Sequence, residues 1–406
     1  MALVPASKSF LTDPDTGMAK RELSKLFNEQ LRSLKNLRDF SAQLQFQIDE
    51  HWTETLPLGN GTSRIGLAGW VFDMLAHSMG TVFWGKKGPF EDTFFREQLR
   101  VFIQNLEALR NPLFFLIPRN LRLAREYVRR TLDQAAADEA YGDKSQLPTL
   151  FQRLAIVYEV HGVPSDGFTD CHLVAIVGLL SNVINIMAWA MCHITADKEL
   201  EASISAELKA VVDNRVTFGV KEEQTDLQLD VDKVRSACPL LLATWYELLR
   251  VYGDSPVARY VDKDCVFDAE YRIKQGSMVM TPIHLRNFNQ DIWGPDADAF
   301  RPSRFLRKQS GHIDSDLVKH LEVFGLPGMH QCPGRYLAMN MFLALVAKVL
   351  LTFEITPALG AVLSIPKRKE TMLGLPVMAD DPDVWIKRRP GVRSVHVGFE
   401  AVRAGW

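Results

Sequence analysis

One loop constrains this chain more than any other stretch. Phe324-Gly325-Leu326-Pro327-Gly328-Met329-His330-Gln331-Cys332-Pro333-Gly334-Arg335 sets a lone cysteine among glycines and prolines. Arg335 to Leu351 then reads as an apolar helix. Glycine lets a backbone approach a flat object closely. A cysteine held just before a helix N-terminus meets free N–H groups and the positive end of the helix dipole, and both favour the thiolate. A thiolate held this way is one of the ligand types of haem iron. The competing reading is a structural cysteine buried in a turn.

Two further pieces stand upstream. Glu247 and Arg250 are three apart in a predicted helix, so they share a face and can pair. Phe300-Arg301-Pro302-Ser303-Arg304-Phe305 follows. Each is unremarkable alone, as a solvated helix pair and an ordinary turn. Their order, with Cys332 downstream, makes that reading improbable.

Together these residues resemble the cytochrome P450 family of haem-thiolate proteins. The family carries an ExxR helix, a PxRF-type segment and a glycine-rich cysteine loop in this order. His284 to Phe305 is similar to the family segment nearly residue by residue, and the likeness runs from Phe168 to Arg389, more weakly upstream. The resemblance implies haem b (iron protoporphyrin IX) with Cys332 as the axial ligand. It implies a structural triad of Glu247, Arg250 and Arg304 behind the haem, with Phe324 and Gly334 shaping the cofactor side. Arg259 is implied as a propionate partner, and His330, where the family often has arginine, as a second. Phe324 lies eight residues before Cys332, one more than the family norm.

His172 to Ile194 is nearly uncharged and is similar to the family's long helix over the haem. Ser181, Asn182 and Asn185 interrupt it, and such amides are costly in lipid, so a buried helix is expected rather than a membrane span. Most members carry an acid and a threonine here to deliver protons. This chain has Asn182 and Val183, and valine has no hydroxyl. Ser181, Asn182 and Asn185 are the candidate distal residues, and Leu373 to Met378 the candidate pocket floor. Asn182 and the closing Leu373-Gly374-Leu375-Pro376 resemble the branch of sterol 7α-hydroxylases and prostacyclin synthase. The activity implied is a monooxygenase acting on an apolar small molecule (a secondary metabolite, terpenoid, sterol or fatty-acid-like compound). It would be served by an NADPH-cytochrome P450 reductase, with no nucleic-acid partner. Alternatives are a haem-thiolate isomerase or dehydratase needing no external electrons, and a truncated relic without activity.

Composition agrees with a globular chain. Apolar residues make 47% and charged residues 24% of 406 positions, and the formal charge of −2 gives no global pull toward nucleic acid. Five widely spaced cysteines suit reduced thiols. Cys171-His172 and Cys192-His193 point different ways on a helix, so packing is expected of them rather than metal ligation.

The expected fold is mainly α with small peripheral β-sheets, as one domain over 1–406. Helices are expected at Ala19 to Glu50, Ile65 to Trp84, Phe94 to Leu109, Pro118 to Ala136 and Asp197 to Asp213. Strands are expected at Val257 to Val266 and Tyr271 to Met280, with a second pair at Val384 to Arg388 and Val392 to Val397. Lys221 to Asp232 reads as a polar loop. The basic residues around the cysteine loop, Arg301, Arg304, Arg307, Lys308, Arg335 and Lys348, are either a solvated face or a patch that steers an acidic reductase. The chain is short for the family. It is expected to lack the first helices, part of the N-terminal sheet and the anchor that holds family members at the cytoplasmic face of the endoplasmic reticulum.

Overall fold

A computed structural model describes residues 17–56, 61–109, 116–140, 149–218, 223–253, 256–325, 331–369 and 374–399. Helix takes up 60% of the structure, with small sheets at its periphery. The longer helices, in chain order, are α1 (Gly17–Arg32), α2 (Leu34–Thr55), α3 (Leu67–Trp84), α4 (Thr93–Gln104), α5 (Arg119–Ala140), α6 (Leu150–Val160), α7 (Phe168–Ala196), α8 (Lys198–Val211), α9 (Pro239–Tyr252) and α10 (Arg335–Thr352). The first helical run breaks at Ser33, whose ψ of 124° is extended, so α1 and α2 are separate. Asp197 caps α8 by accepting from the N–H groups of Glu199 and Leu200, which satisfies two orphan donors of its first turn.

The core gathers around α7, which packs against α3, α9 and α10. Both α7 and α10 are long and apolar enough to cross a membrane, yet 94% of the apolar window of α10 is buried inside the protein. Half of the α7 window is buried, and much of its other face lines a cavity. Two covered faces explain a helix that is apolar nearly all round. Lys348 of α10 is also buried, and its ammonium lies 2.7 Å from Asp49 of α2 and 5.9 Å from the Trp52 ring centroid. Burial pushes the Lys348 pKa down, and Asp49 opposes that shift.

The sheets corrected two expectations. Val384 to Arg388 and Val392 to Val397 do not pair with each other. Asp383–Arg388 lies between Thr62–Gly66 and Phe353–Pro357, antiparallel to both. Val392–Gly398 runs parallel to Glu223–Asp230, which pairs antiparallel with Asp213–Phe218. Each strand follows its own apolar face: Val384 and Ile386 bury in the first sheet, while Val395 and Val397 bury on the side that meets α10. Glu223–Asp230 also corrects the polar loop expected at Lys221 to Asp232. Leu227 and Leu229 alternate into the core between polar residues, and a single buried face leaves little apolar signal in sequence. The earlier hairpin is present in two parts, Val257–Tyr260 with Met278–Thr281 and Cys265–Phe267 with Tyr271–Ile273.

His172 and His193, both on α7, are packing residues. His172 sits among the rings of Trp84, Phe151, Tyr158 and Phe168. His193 stacks on Phe300 at 3.7 Å and shares a 2.7 Å hydrogen bond with the Tyr252 hydroxyl. Burial pushes the pKa of each down from 6.5 to about 4, partly offset by the Phe151 backbone and by Asp197 respectively. Both stay neutral in the folded chain where the unfolded chain takes up protons. Their contribution is therefore complete above pH 6.5 and is lost as pH falls toward 4. Urea unfolding of wild type should lose on the order of a few kcal/mol across that window. His172→Phe should flatten part of the loss; an unchanged pH profile would refute the assignment.

Candidate active site

The ExxR helix α9 presents Glu247 and Arg250 to an interior from which water is excluded. Both side chains are 0% exposed, and two parallel 2.8 Å bonds join them, from Arg250 Nε to Glu247 Oε2 and from Nη2 to Oε1. Arg250 then donates to three carbonyls, of Asn287 at 2.8 Å, Ala297 at 2.7 Å and Ala299 at 3.0 Å. Arg304 completes the triad at 3.3 Å from Glu247 Oε1 and also binds Asp296, while the Arg301 N–H donates to Glu247 at 2.8 Å. Two buried arginines face the buried Glu247, and the partly exposed Asp296 supplies the second negative charge. The fork geometry of arginine allows such bidentate pairing. The triad thus clamps the 287–304 segment onto α9. Asp296 and the three carbonyls were not singled out from sequence, because carbonyl acceptors carry no residue signature.

The cysteine loop closes on itself ahead of α10. Phe324 and Gly325 take positive φ values, 65° and 75°, and the Cys332 N–H donates to the Phe324 carbonyl at 2.8 Å. Gly334 caps α10, and an added Cβ there would sit 3.8 Å from Cys332 Sγ. Burial raises the Cys332 pKa, while the N–H groups of Gly334 and Arg335 and the Arg335 charge pull it down. Trp245 of α9, two residues before Glu247, packs between Phe324 and Phe342 at centroid distances of 6.3 and 5.0 Å. It ties the triad helix to the loop, a link that spacing alone did not reveal.

Cys332 opens on a cavity of about 790 Å³. That lies within the roughly 300–1,000 Å³ of small-molecule sites. Cys332, Gly334 and Phe324 form one side, and Ala175, Gly178 and Val183 of α7 the other. No atom lies within 4 Å of a Cβ added at Gly178, so α7 leaves open space there. Phe27 and Leu31 of α1 also line it, a contribution the sequence did not disclose. The donor set tests which cofactor fits. Among the described residues, no three His, Cys, Asp or Glu gather to hold a metal ion. A bare ion needs several protein ligands, whereas iron already held by a macrocycle needs only an axial one. The Cys332 sulfur at the edge of an apolar cavity fits haem.

The remaining expected residues are placed as follows. Arg259 is exposed on its strand two residues after Val257, which lines the cavity, and alternation puts both on one face. Its guanidinium donates to the Ala258 carbonyl at 2.7 Å. His330 and Leu373 lie outside the described residues. Ser181 donates back to the Val177 carbonyl at 2.7 Å within α7. Asn182 lines the cavity; Asn185 lines a smaller pocket of about 180 Å³ beside it. The basic patch is corrected for three of its six residues. Arg304, Arg335 and Lys348 are buried, and Arg301 and Arg307 are paired with Asp296 and with Asp314 and Asp316. Half of that charge is spent inside the protein, while Arg301, Arg307 and Lys308 stay exposed.

Comparison with known proteins follows the same lines. The family model described as Cytochrome P450 matches residues 14–379. Cytochrome P450 monooxygenase nodJ of Hypoxylon pulicicidum is 29% identical over 202 residues, which is 49% of this chain and 39% of the relative. A cytochrome P450 monooxygenase of Gibberella zeae is 24% identical over 301 residues, 72% of this chain and 55% of the relative. The bifunctional cytochrome P450/NADPH–P450 reductase 2 of Bacillus subtilis is 31% identical over 146 residues, 35% of this chain and 12% of that protein. The chain spans about half the length, or less, of the curated relatives it matches. These relatives bear on the family and leave the sterol 7α-hydroxylase branch an expectation.

Proposed function

This chain belongs to the cytochrome P450 family, and from that premise we propose that it is a haem-thiolate monooxygenase placing one oxygen atom of dioxygen into an apolar small molecule. The observation that carries the reading is Cys332, held at the N-terminus of α10 beneath an apolar cavity roofed by α7. Haem bound there supplies oxygen activation, and a thiolate ligand donates electron density that favours O–O cleavage. The protein's own residues do the rest. The Gly334 and Arg335 N–H groups stabilise negative charge on Cys332 Sγ. The buried triad fixes the loop's backing. The apolar walls exclude water and select apolar ligands. We assign Arg259 and His330 to the haem propionates, and an NADPH-dependent reductase as electron source.

A second reading rests on one observation. Asn182 and Val183 stand on the cavity face of α7, and Asn182 Oδ1 is committed to the Leu375 N–H at 2.8 Å. Neither side chain can deliver a proton, which favours rearrangement of an already oxygenated substrate. The two are separated by turnover. Product formation that requires NADPH and a reductase supports oxygenation. Conversion of a hydroperoxide without reductant replaces it by isomerisation.

A further inference from the structure

Three side chains on one stripe of α7 grip a single backbone segment. Asn182, Asn185 and Trp189 are spaced by three and four residues, so they rise along one face. Asn182 Oδ1 accepts from the Leu375 N–H at 2.8 Å. Asn185 Nδ2 donates to the Leu375 carbonyl at 3.1 Å. Trp189 Nε1 donates to the Pro376 carbonyl at 2.8 Å. Both polar groups of one peptide residue are thus taken by two amides, and the next carbonyl by an indole. The anchor is stiff. Trp189 is 1% exposed and stacks on Tyr252 of α9 at 4.2 Å. The segment is shaped to accept it, since Gly374 has φ +99° and a Cβ there would meet Asn182 Oδ1 at 2.2 Å. Gly374, Leu375 and Asn182 all line the cavity.

The grip also fixes which way Asn182 faces. A backbone N–H can be accepted only by the amide oxygen, so Oδ1 is turned to Leu375 and the NH2 group is turned away from it. We infer that Asn182, Asn185 and Trp189 form a clasp that holds residues 374–376 as a wall of the ligand cavity, and that the clasp orients the Asn182 NH2 as a hydrogen-bond donor to an oxygen acceptor on the ligand. The inference rests on the cavity proposed above as the substrate site and narrows its ligand class. An apolar molecule bearing a carbonyl or ether oxygen is preferred over the bare hydrocarbon. Asn182 is a positioning and specificity residue and is not itself a proton donor to the reaction.

Two variants separate the clasp from the donor. Asn182→Leu removes both. Asn182→Asp keeps an oxygen to accept from Leu375 but has no NH2. Hydrogen exchange at the Leu375 amide in the haem-loaded protein reads the clasp. It should speed up about tenfold or more in Asn182→Leu and stay within about threefold of wild type in Asn182→Asp. Unchanged exchange in Asn182→Leu would overturn the clasp. Equilibrium dialysis with menthone and its parent hydrocarbon p-menthane reads the donor. Wild type should prefer the ketone, and Asn182→Asp should lose about five- to tenfold of that preference. A wild type without the preference, or an aspartate variant that keeps it, would overturn the donor role. Neither reading needs turnover. A protein that lacks the thiolate spectrum but shows both effects would lose the proposed function and keep the clasp.

Discussion

Arg250→Leu is expected to leave little or no folded protein. The leucine would strand Glu247 at 0% exposure, with only the Arg301 N–H at 2.8 Å and the Arg304 Nε at 3.3 Å to answer its charge. Removing one member of a buried ion pair costs about 3–5 kcal/mol. The carbonyls of Asn287 and Ala297 also lose the Arg250 donor, while that of Ala299 keeps Arg304 Nη2 at 3.2 Å. Each buried acceptor left unmade costs roughly 1–3 kcal/mol. The sum rivals the about 5–15 kcal/mol that holds a typical protein together. The same ring of bonds holds the 287–304 segment, so the damage spreads beyond α9. Glu247→Leu should be comparably severe. The double variant should cost less than the two single costs added, because it leaves no uncompensated charge. Soluble yield and urea midpoints check this. A single variant that unfolds near the wild-type midpoint would show that the triad is not the structural clamp described here.

Cys332→Ala is expected to act in the opposite way, with a small effect on folding and a total one on function. The bond that shapes its loop runs from the Cys332 N–H to the Phe324 carbonyl, and alanine keeps it. The side chain lies in a cavity wall rather than in a packed layer, so the stability cost should be about 1 kcal/mol or less. What disappears is the cysteine thiolate at the cavity wall. Turnover should fall to background under either functional reading, and any bound haem should lose its thiolate spectrum. A stable, haem-loaded Cys332→Ala protein that keeps the native spectrum would mean that the ligand is another residue.

The chemistry-bearing residues were legible because each rests on a side chain at a fixed spacing. Glu247 and Arg250 sit one turn apart, and Cys332 stands alone in its glycine loop just before α10. The long helices were legible because apolar periodicity survives where one face is buried, as in α4 and α8, and because a long uncharged apolar run marks α7. Illegible features depend on backbone atoms or on distant pairing. The clasp partners of α7 lie 187 to 193 residues away and offer peptide groups with no residue signature. The strand Glu223–Asp230 hid in polar sequence because only Leu227 and Leu229 mark its buried face. The basic residues near the loop looked like a surface patch because sequence shows charge and not burial. Lys348 is 1% exposed on Asp49, and the side chain of Arg304 is 2% exposed against Glu247.

We propose that Cys332 supplies a thiolate to haem iron in the cavity beneath α7. The reduced protein with carbon monoxide tests it most directly, because the position of the Soret band reports the ligand opposite the gas. Wild type should show the red-shifted band of a thiolate-ligated haem, and Cys332→Ala should lack it. A wild-type protein that binds haem and shows an unshifted band would contradict it.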